Sequence, residues 1–132
     1  MRNKKMVIVV LCLALAGVAI AEYVPFKVKL NMMERMVISS FLPKEASFVN
    51  WKIFNDLRNE LAPTEAEAKI LDMKQNAEGG ILANWSAVPE KEVTFGEVTE
   101  KIIIDTLRKL DSESKLSQEH ISIYKKFILR EK

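Results

Sequence analysis

The chain has few of the residues on which metal sites and nucleophilic catalysis depend, with one cysteine and one histidine in 132 residues. The cysteine, Cys12, lies in the N-terminal segment, so residues 22–132 have no thiol for a disulfide, a thiolate metal site or a cysteine nucleophile. A zinc site would have to combine His120 with carboxylates, which is an uncommon ligand set. No glycine-flanked serine elbow is present, and His120 would be the only base. We therefore expect no metal and no cofactor.

Glycine and proline are also scarce, with four of each. The adjacent pair Gly79-Gly80 stands within a hairpin pattern and not between a strand and a helix, so it does not indicate a phosphate-binding loop. The sequence has no internal repeat and no low-complexity tract. Its hydrophobic content of 48% is enough for one core of ordinary size, which predicts a single small domain over residues 22–132.

The first 21 residues have the pattern of an export signal. A basic start precedes an apolar run from Met6 to Val18, and Ala19 and Ala21 have the small side chains that signal peptidase prefers. Cleavage there would release a domain beginning at Glu22 into the periplasm or outside the cell. The alternative is that residues 6–21 anchor the protein in the cytoplasmic membrane, although a spanning helix needs about 20 apolar residues.

The apparent basicity of the chain belongs to this segment. Removing residues 1–21 takes three cations away, so 20 basic residues become 17 against 18 acidic ones, and the net charge changes from +2 to −1. A domain near neutrality has no large positive field with which to attract a polyanion, so nucleic acid is not an expected partner. One local cluster of cations is typical of a solvated helix end: Lys125, Lys126, Arg130 and Lys132.

Apolar periodicity predicts an α+β fold of about five helices with a small antiparallel sheet. Alternation over residues 23–30 predicts an N-terminal strand, and Asn31 with Glu34 predicts a capping box for a first helix that ends at Pro43. A second helix is expected over Phe48–Leu61. Its predicted buried stripe consists of Val49, Ile53, Leu57 and Leu61.

Thr64 and Glu67 predict the start of a short third helix, followed by a strand from about Leu71 and a hairpin around Gly79-Gly80. Three helices followed by a hairpin resemble a winged helix-turn-helix, although the third helix carries more acidic than basic residues. A further strand, a fourth helix and a polar link are then expected, and Ser117 caps the last helix. The predicted positions are a strand over residues 93–95, a helix start at Thr94 with Glu97, and a link over residues 111–114.

Enzymatic chemistry would depend on carboxylates, which occur in three close pairs: Glu65 with Glu67, Glu90 with Glu92, and Glu97 with Glu100. The first and third pairs fall in opening helical turns, where negative charge is favoured, and the second falls in a charged loop. Nothing apolar flanks them to raise the pKa of one member, as a general acid requires. His120 is expected to face water. We therefore predict that the protein is not an enzyme.

Large aromatic side chains are the best candidates for contact with a partner. Trp51 lies beside the main stripe of its helix, Trp85 is expected at the end of a hairpin strand, and Tyr23 stands at the start of the domain. Each tryptophan could instead pack in the core, and both interpretations stay open.

Several short runs resemble a group of small uncharacterised proteins found in phage and prophage-rich genomes. The runs are Glu34-Arg35-Met36-Val37, Leu42-Pro43-Lys44-Glu45, Lys109-Leu110-Asp111 and His120-Ile121-Ser122-Ile123-Tyr124. The resemblance covers about residues 30–128 and has no catalytic motif, so it carries over no functional residue. It implies an accessory domain attached to an export signal. The export signal is the part of this chain that departs from the pattern of the group.

These observations together predict an exported, non-enzymatic binding or accessory domain of the cell envelope whose partner is a protein. The membrane would be contacted only through residues 6–21, if they are not cleaved. A membrane-tethered winged-helix module that binds nucleic acid is one alternative. A small carboxylate-dependent hydrolase is another.

Overall fold

The computed structural model describes residues 22–132, so the predictions for residues 1–21, including Ala19 and Ala21, lie outside the described residues. The fold class is α+β, as predicted, with five helices and two small antiparallel sheets. Within residues 22–132, no helix is both long and apolar enough to cross a membrane. The elements in chain order are β1 (Phe26–Leu30), α1 (Met32–Phe41), α2 (Phe48–Leu61), α3 (Glu65–Leu71), β2 (Lys74–Gln75), β3 (Ile81–Leu82), a 3-10 turn (Trp85–Ala87), β4 (Lys91–Phe95), α4 (Glu97–Ser112) and α5 (Gln118–Phe127).

The N-terminal strand and the hairpin belong to separate sheets. β1 pairs antiparallel with β4, in a register that runs from Phe26 opposite Phe95 to Leu30 opposite Lys91. β2 and β3 pair only with each other, across a five-residue loop in which Gly79 has a φ of 83°, which glycine adopts without strain. Three helices followed by this hairpin reproduce the predicted winged-helix order.

The predicted capping boxes are present and explain where α1 and α3 begin. The Glu34 backbone N–H donates to the Asn31 side chain at 2.8 Å, and the Asn31 N–H donates to Glu34 Oε1 at 2.9 Å. Thr64 and Glu67 form the same reciprocal pair at the start of α3. These local hydrogen bonds satisfy backbone donors that a helix start leaves free, so the sequence signature alone determines the boundary.

Four local predictions are wrong. Leu71 is the last residue of α3 and not the start of a strand, because Asp72 ends the helix with a left-handed φ of 45°. Thr94 lies within β4 opposite Lys27, and α4 begins after Gly96 without a side-chain cap. The fourth helix also continues through Ser112, into the expected polar link. Trp85 begins a 3-10 turn and does not end a strand.

The core has two parts. In the larger one, the inner face of the β1–β4 sheet packs against the helices, with the Phe95 and Phe127 rings in an edge contact at 5.2 Å between centroids. The smaller one joins the start of α1 to the end of α3 and consists of Met32, Leu71 and Val88, with Ala83 and Trp85 packed against it. The residues around the second core therefore hold the hairpin to the rest of the domain.

Candidate functional site

The strongest candidates for chemistry are charged side chains that the fold buries, and each of them binds another part of the chain. Arg35 is fully buried in α1, and its guanidinium donates to both carboxylate oxygens of Glu67, at 3.2 and 2.5 Å. The hydrogen bonds from Arg35 lower the pKa of Glu67, burial opposes this, and the Thr64 N–H adds to the lowering. A general acid needs the opposite shift, so Glu67 has the electrostatics of a structural ion pair.

The neighbouring Glu34 is also buried and joins α1 to the last helix. Its Oε1 accepts a hydrogen bond from Lys126 Nζ at 2.8 Å, and the same ammonium group donates to the Lys29 carbonyl and lies 3.5 Å from Glu90. Lys126 is therefore tied to β1, to α1 and to the loop before β4, and it is not part of a solvated helix end, which corrects the prediction for this residue. Long-range ion pairing cannot be recognised from helix periodicity.

A third buried carboxylate, Glu100 in α4, holds the two ends of the domain together. It accepts hydrogen bonds from the Tyr23 hydroxyl and from Arg130, the latter at 2.5 Å. The Arg130 guanidinium also lies 4.0 Å from the centre of the Phe26 ring, which is the geometry of a cation–π contact. Arg130 is still exposed near the end of α5, as predicted, but its guanidinium is paired within the chain. Tyr23 is half-exposed, but its hydroxyl is engaged within the chain.

His120 does not face water, contrary to the prediction. Its ring lies 5.8 Å from that of Phe41, and its Nδ1 accepts a hydrogen bond from the Ser117 N–H at 3.0 Å. The side chain thus completes the N-terminal cap of α5 while covering part of α1. Among the described residues, no group of three or more histidine, cysteine, aspartate or glutamate side chains is placed to hold a metal ion.

The two tryptophans occupy different environments. Trp85 is partly buried against the second core and lines a groove of about 440 Å³ together with Met33 and Pro89. Trp51 is 44% exposed and does not belong to either core cluster of the described residues. Of the three aromatic candidates, Trp51 is therefore the one whose ring is most available to a partner without local rearrangement.

Trp51 lies in an exposed apolar surface at the start of α2. Phe48 and Val49 are 79% and 68% exposed, and we call these three residues the α2 surface. The buried side of α2 is instead made by Phe54, Leu57 and Leu61, so the predicted stripe is wrong for its N-terminal members Val49 and Ile53. The sequence also shows the spacing of Phe54, Leu57 and Leu61. Because apolar residues lie on both sides of the helix, the sequence alone does not show which side is buried.

A second exposed apolar surface lies on the hairpin and the end of α3. Ile81 and Leu82, which form β3, are 62% and 59% exposed. Met73 is half-exposed one residue before β2, and the exposed Ile70 is tied to the same unit because its carbonyl accepts a hydrogen bond from the Asn84 side chain at 3.4 Å. We call Ile70, Met73, Ile81 and Leu82 the hairpin surface. Sequence alternation located the hairpin but did not show that both its faces would stay exposed.

A groove of about 610 Å³ runs along β1 and the C-terminal residues. Phe26 and Val28 contribute apolar surface, but Lys27 and Lys29 lie on the strand itself and Lys126 donates to the Lys29 carbonyl. Lysine side chains and a preceding proline are typical of edge strands that avoid pairing with other chains. This groove therefore has the features of a protected sheet edge.

Comparisons with protein-family models, with curated proteins and with solved structures gave no match to this chain. The resemblance to phage and prophage proteins accordingly stays a prediction from short sequence runs. The arguments about function depend on the geometry of the domain itself.

Proposed function

We propose that the protein is a non-enzymatic binding module of the cell envelope, exported by residues 1–21, which binds a partner protein through its hairpin surface. The observation that carries this proposal is the exposure of Ile81 and Leu82, two large aliphatic side chains on opposite faces of a strand of two residues, so that a partner would enclose the hairpin from both sides. A hairpin this short has little stability of its own, and here the second core holds it in place. Its apolar side chains are thus presented on a positioned support.

Burial of this surface would supply part of the free energy that specific binding needs. Burying an exposed isoleucine or leucine completely contributes about 1.5–3 kcal/mol, and a factor of ten in affinity corresponds to about 1.4 kcal/mol. The surrounding exposed side chains carry both signs of charge, with Asp72 and Lys74 paired at 3.3 Å. A partner with an apolar centre and a polar rim matches this arrangement.

The alternatives are less well supported by the same region. A nucleic-acid-binding winged helix would read bases with α3, but that helix has seven residues and carries Glu65 and Glu67 against Lys69. Repulsion between these carboxylates and phosphate groups would weaken binding. A carboxylate hydrolase would need one acid with a raised pKa, whereas the pKa of Glu67 is lowered.

The test uses the protein as recovered from its host, with intact mass after fractionation as the first step. A soluble species beginning at Glu22 would support export and release, and a membrane-bound species retaining residues 6–21 would support an anchored domain in the same compartment. Recovery of the uncleaved chain from the cytosol would contradict the proposal.

The second step compares envelope proteins captured by the wild type with those captured by an Ile81→Ser/Leu82→Ser variant. We expect the specific partner to bind the variant at least about tenfold more weakly, because two apolar side chains are removed from the interface. The matched control is Lys74→Ser/Glu78→Ser, on the same hairpin, which should retain the partner. Equal capture by all three proteins would refute the role of the hairpin surface.

A further inference from the structure

The α2 surface is separate from the hairpin surface, so the partner protein proposed for the hairpin does not account for its exposed apolar side chains. We propose that it rests on an anionic lipid membrane, with Phe48, Val49 and Trp51 inserted among the headgroups. The inference depends on the proposed function in one respect, namely that residues 1–21 bring the domain to a membrane. It assigns a lipid-contacting face, which fixes how the domain is oriented there.

The shape of the region suits insertion. Phe48 and Leu57 are nine residues apart, or about two and a half helical turns, so Phe48 points directly away from the buried side of α2. Residues 44–50 are all exposed, and the helix start therefore stands out from the rest of the domain. Tryptophan is enriched at membrane interfaces because its ring is apolar and its N–H is polar, and Trp51 lies one turn from Phe48.

The charge distribution favours an anionic surface over a neutral one. Of the five helices in residues 22–132, α2 is the one whose first turn has no acidic residue. The Ser47 hydroxyl caps this helix start without adding negative charge, and Lys52 follows on the exposed side. Lys44 and Glu45 precede α2, and their charges offset each other. The acidic residues of α2, Asp56 and Glu60, lie in its second half. The half-helix that carries the apolar side chains is thus the half without carboxylates.

The connection to the N-terminal segment makes a lipid surface a better fit than a second protein. The apolar run ends at Ala21, directly before Glu22, so an anchored or newly exported domain begins at the bilayer surface. Three inserted side chains give only weak binding when they act alone. Attachment to the same membrane raises their effective concentration, and a weak contact is then sufficient to orient the domain.

The test is quenching of tryptophan fluorescence by vesicles whose lipids carry brominated acyl chains. The full chain is mixed with phosphatidylglycerol vesicles or with phosphatidylcholine vesicles. We expect quenching with phosphatidylglycerol that is at least about twofold weaker with phosphatidylcholine, and Lys52→Ser, which leaves Arg2, Lys4 and Lys5 in place, should reduce this difference. Trp51→Phe should remove most of the quenching, and Trp85→Phe should preserve it. Quenching that persists in Trp51→Phe would overturn the proposal.

A second comparison separates lipid contact from the other possible occupants. Phe48→Ser/Val49→Ser should abolish the Trp51 quenching, whereas Ile81→Ser/Leu82→Ser, the same chemical change on the hairpin surface, should leave it intact. Persistent quenching in the first variant would overturn the lipid proposal. The proposal would also be overturned if the wild type showed no quenching by lipid and instead formed a dimer or captured a protein through this surface. Loss of that dimer or captured protein in Phe48→Ser/Val49→Ser would identify it as the true occupant. Because partner capture depends on the other pair of residues, the two proposals can fail independently.

Discussion

Replacing Glu67 by glutamine should destabilise the domain strongly, although the two side chains have nearly the same shape. Glu67 is the counter-ion of Arg35, whose side chain is fully buried, whereas the Glu67 side chain is 16% exposed. The amide keeps one acceptor oxygen but loses the negative charge and the bidentate geometry. The buried guanidinium would then lack a compensating charge, and removing one partner of a buried pair costs more than the pair itself contributes.

The magnitude follows from the two hydrogen bonds. Each bond between charged groups contributes about 1.5–3 kcal/mol, and glutamine can replace one of the two with a weaker version. Water reaches the partly exposed Glu67, which reduces the penalty, so we expect a loss of about 2–3 kcal/mol in the free energy of unfolding. For a domain of this size that is a decrease in Tm of roughly 10 °C.

Urea denaturation followed by circular dichroism measures this loss directly. Glu65→Gln is the matched control, because Glu65 lies in the same first turn of α3 and is exposed. We expect that control to change stability by less than about 0.5 kcal/mol. If the loss of stability in Glu67→Gln lay within about 0.5 kcal/mol of that in the control, the argument that pairing with Arg35 stabilises the domain would be refuted.

The same pair predicts a pH dependence. Because the pKa of Glu67 is lower in the folded protein than in the unfolded chain, the unfolded state binds the proton first as the solution is acidified. The stabilisation is therefore complete above the ordinary carboxyl pKa and is lost as the pH falls below about 4. The stability difference between wild type and Glu67→Gln should shrink in that range, and a constant difference down to pH 3 would contradict the assignment.

Two further predictions concern aromatic side chains. The Tyr124 hydroxyl donates to Asp111 at 3.0 Å, and this hydrogen bond raises the pKa of Tyr124, so Asp111→Asn should move the phenolate transition seen by ultraviolet absorbance to lower pH. An unchanged titration would show that the hydrogen bond is not maintained in solution. Acrylamide should quench Trp51 more effectively than Trp85, because Trp85 packs against the second core. Trp51→Phe and Trp85→Phe variants separate the two signals, and equal quenching would contradict the described environments.

The parts of the fold that were predictable from the sequence are those that local hydrogen bonding determines. Asn31 with Glu34 and Thr64 with Glu67 placed two helix starts correctly, because a capping box needs residues only three positions apart. The α2 limits also agree with the prediction, since Ser47 and Pro63 lie just outside them. The order of elements, and hence the α+β class, follows from such boundaries together with apolar periodicity.

The orientation of the helices was not predictable in the same way. The side of a helix that is buried depends on which elements pack against it, and this is set by contacts between residues far apart in the chain. In α1 the neighbouring charged residues Glu34 and Arg35 are both buried, while Met33 and Met36 are partly exposed. Periodicity assigns charged residues to the wet side, so it cannot find a helix whose ionic groups bind Glu67 and Lys126 from other elements.

The candidate sites reflect the same limit. Tyr23, Trp51 and Trp85 are candidates because they are large and amphipathic, yet their environments differ. Tyr23 and Trp51 are similarly exposed, but the Tyr23 hydroxyl contacts a buried carboxylate, and Trp85 packs against the second core. The hairpin surface and the exposed start of α2 became visible once the packing of neighbouring elements was known. Sequence can thus indicate which residue types are able to bind, but tertiary packing decides which of them are free to do so.

The distribution of polar and apolar groups gives the two surface proposals a common physical basis. The interior holds Arg35 and Glu34, whose desolvation opposes folding even when they are paired. The exterior meanwhile carries Phe48 and Leu82, which would contribute more stability if they were buried. A sequence selected for stability alone would reverse these placements. Buried ion pairs that join distant elements hold those elements in one arrangement, and exposed apolar groups gain their burial energy when a second body covers them. The arrangement is therefore that of a rigid support with exposed apolar side chains, and our two proposals assign a partner protein to one exposed surface and a membrane to the other.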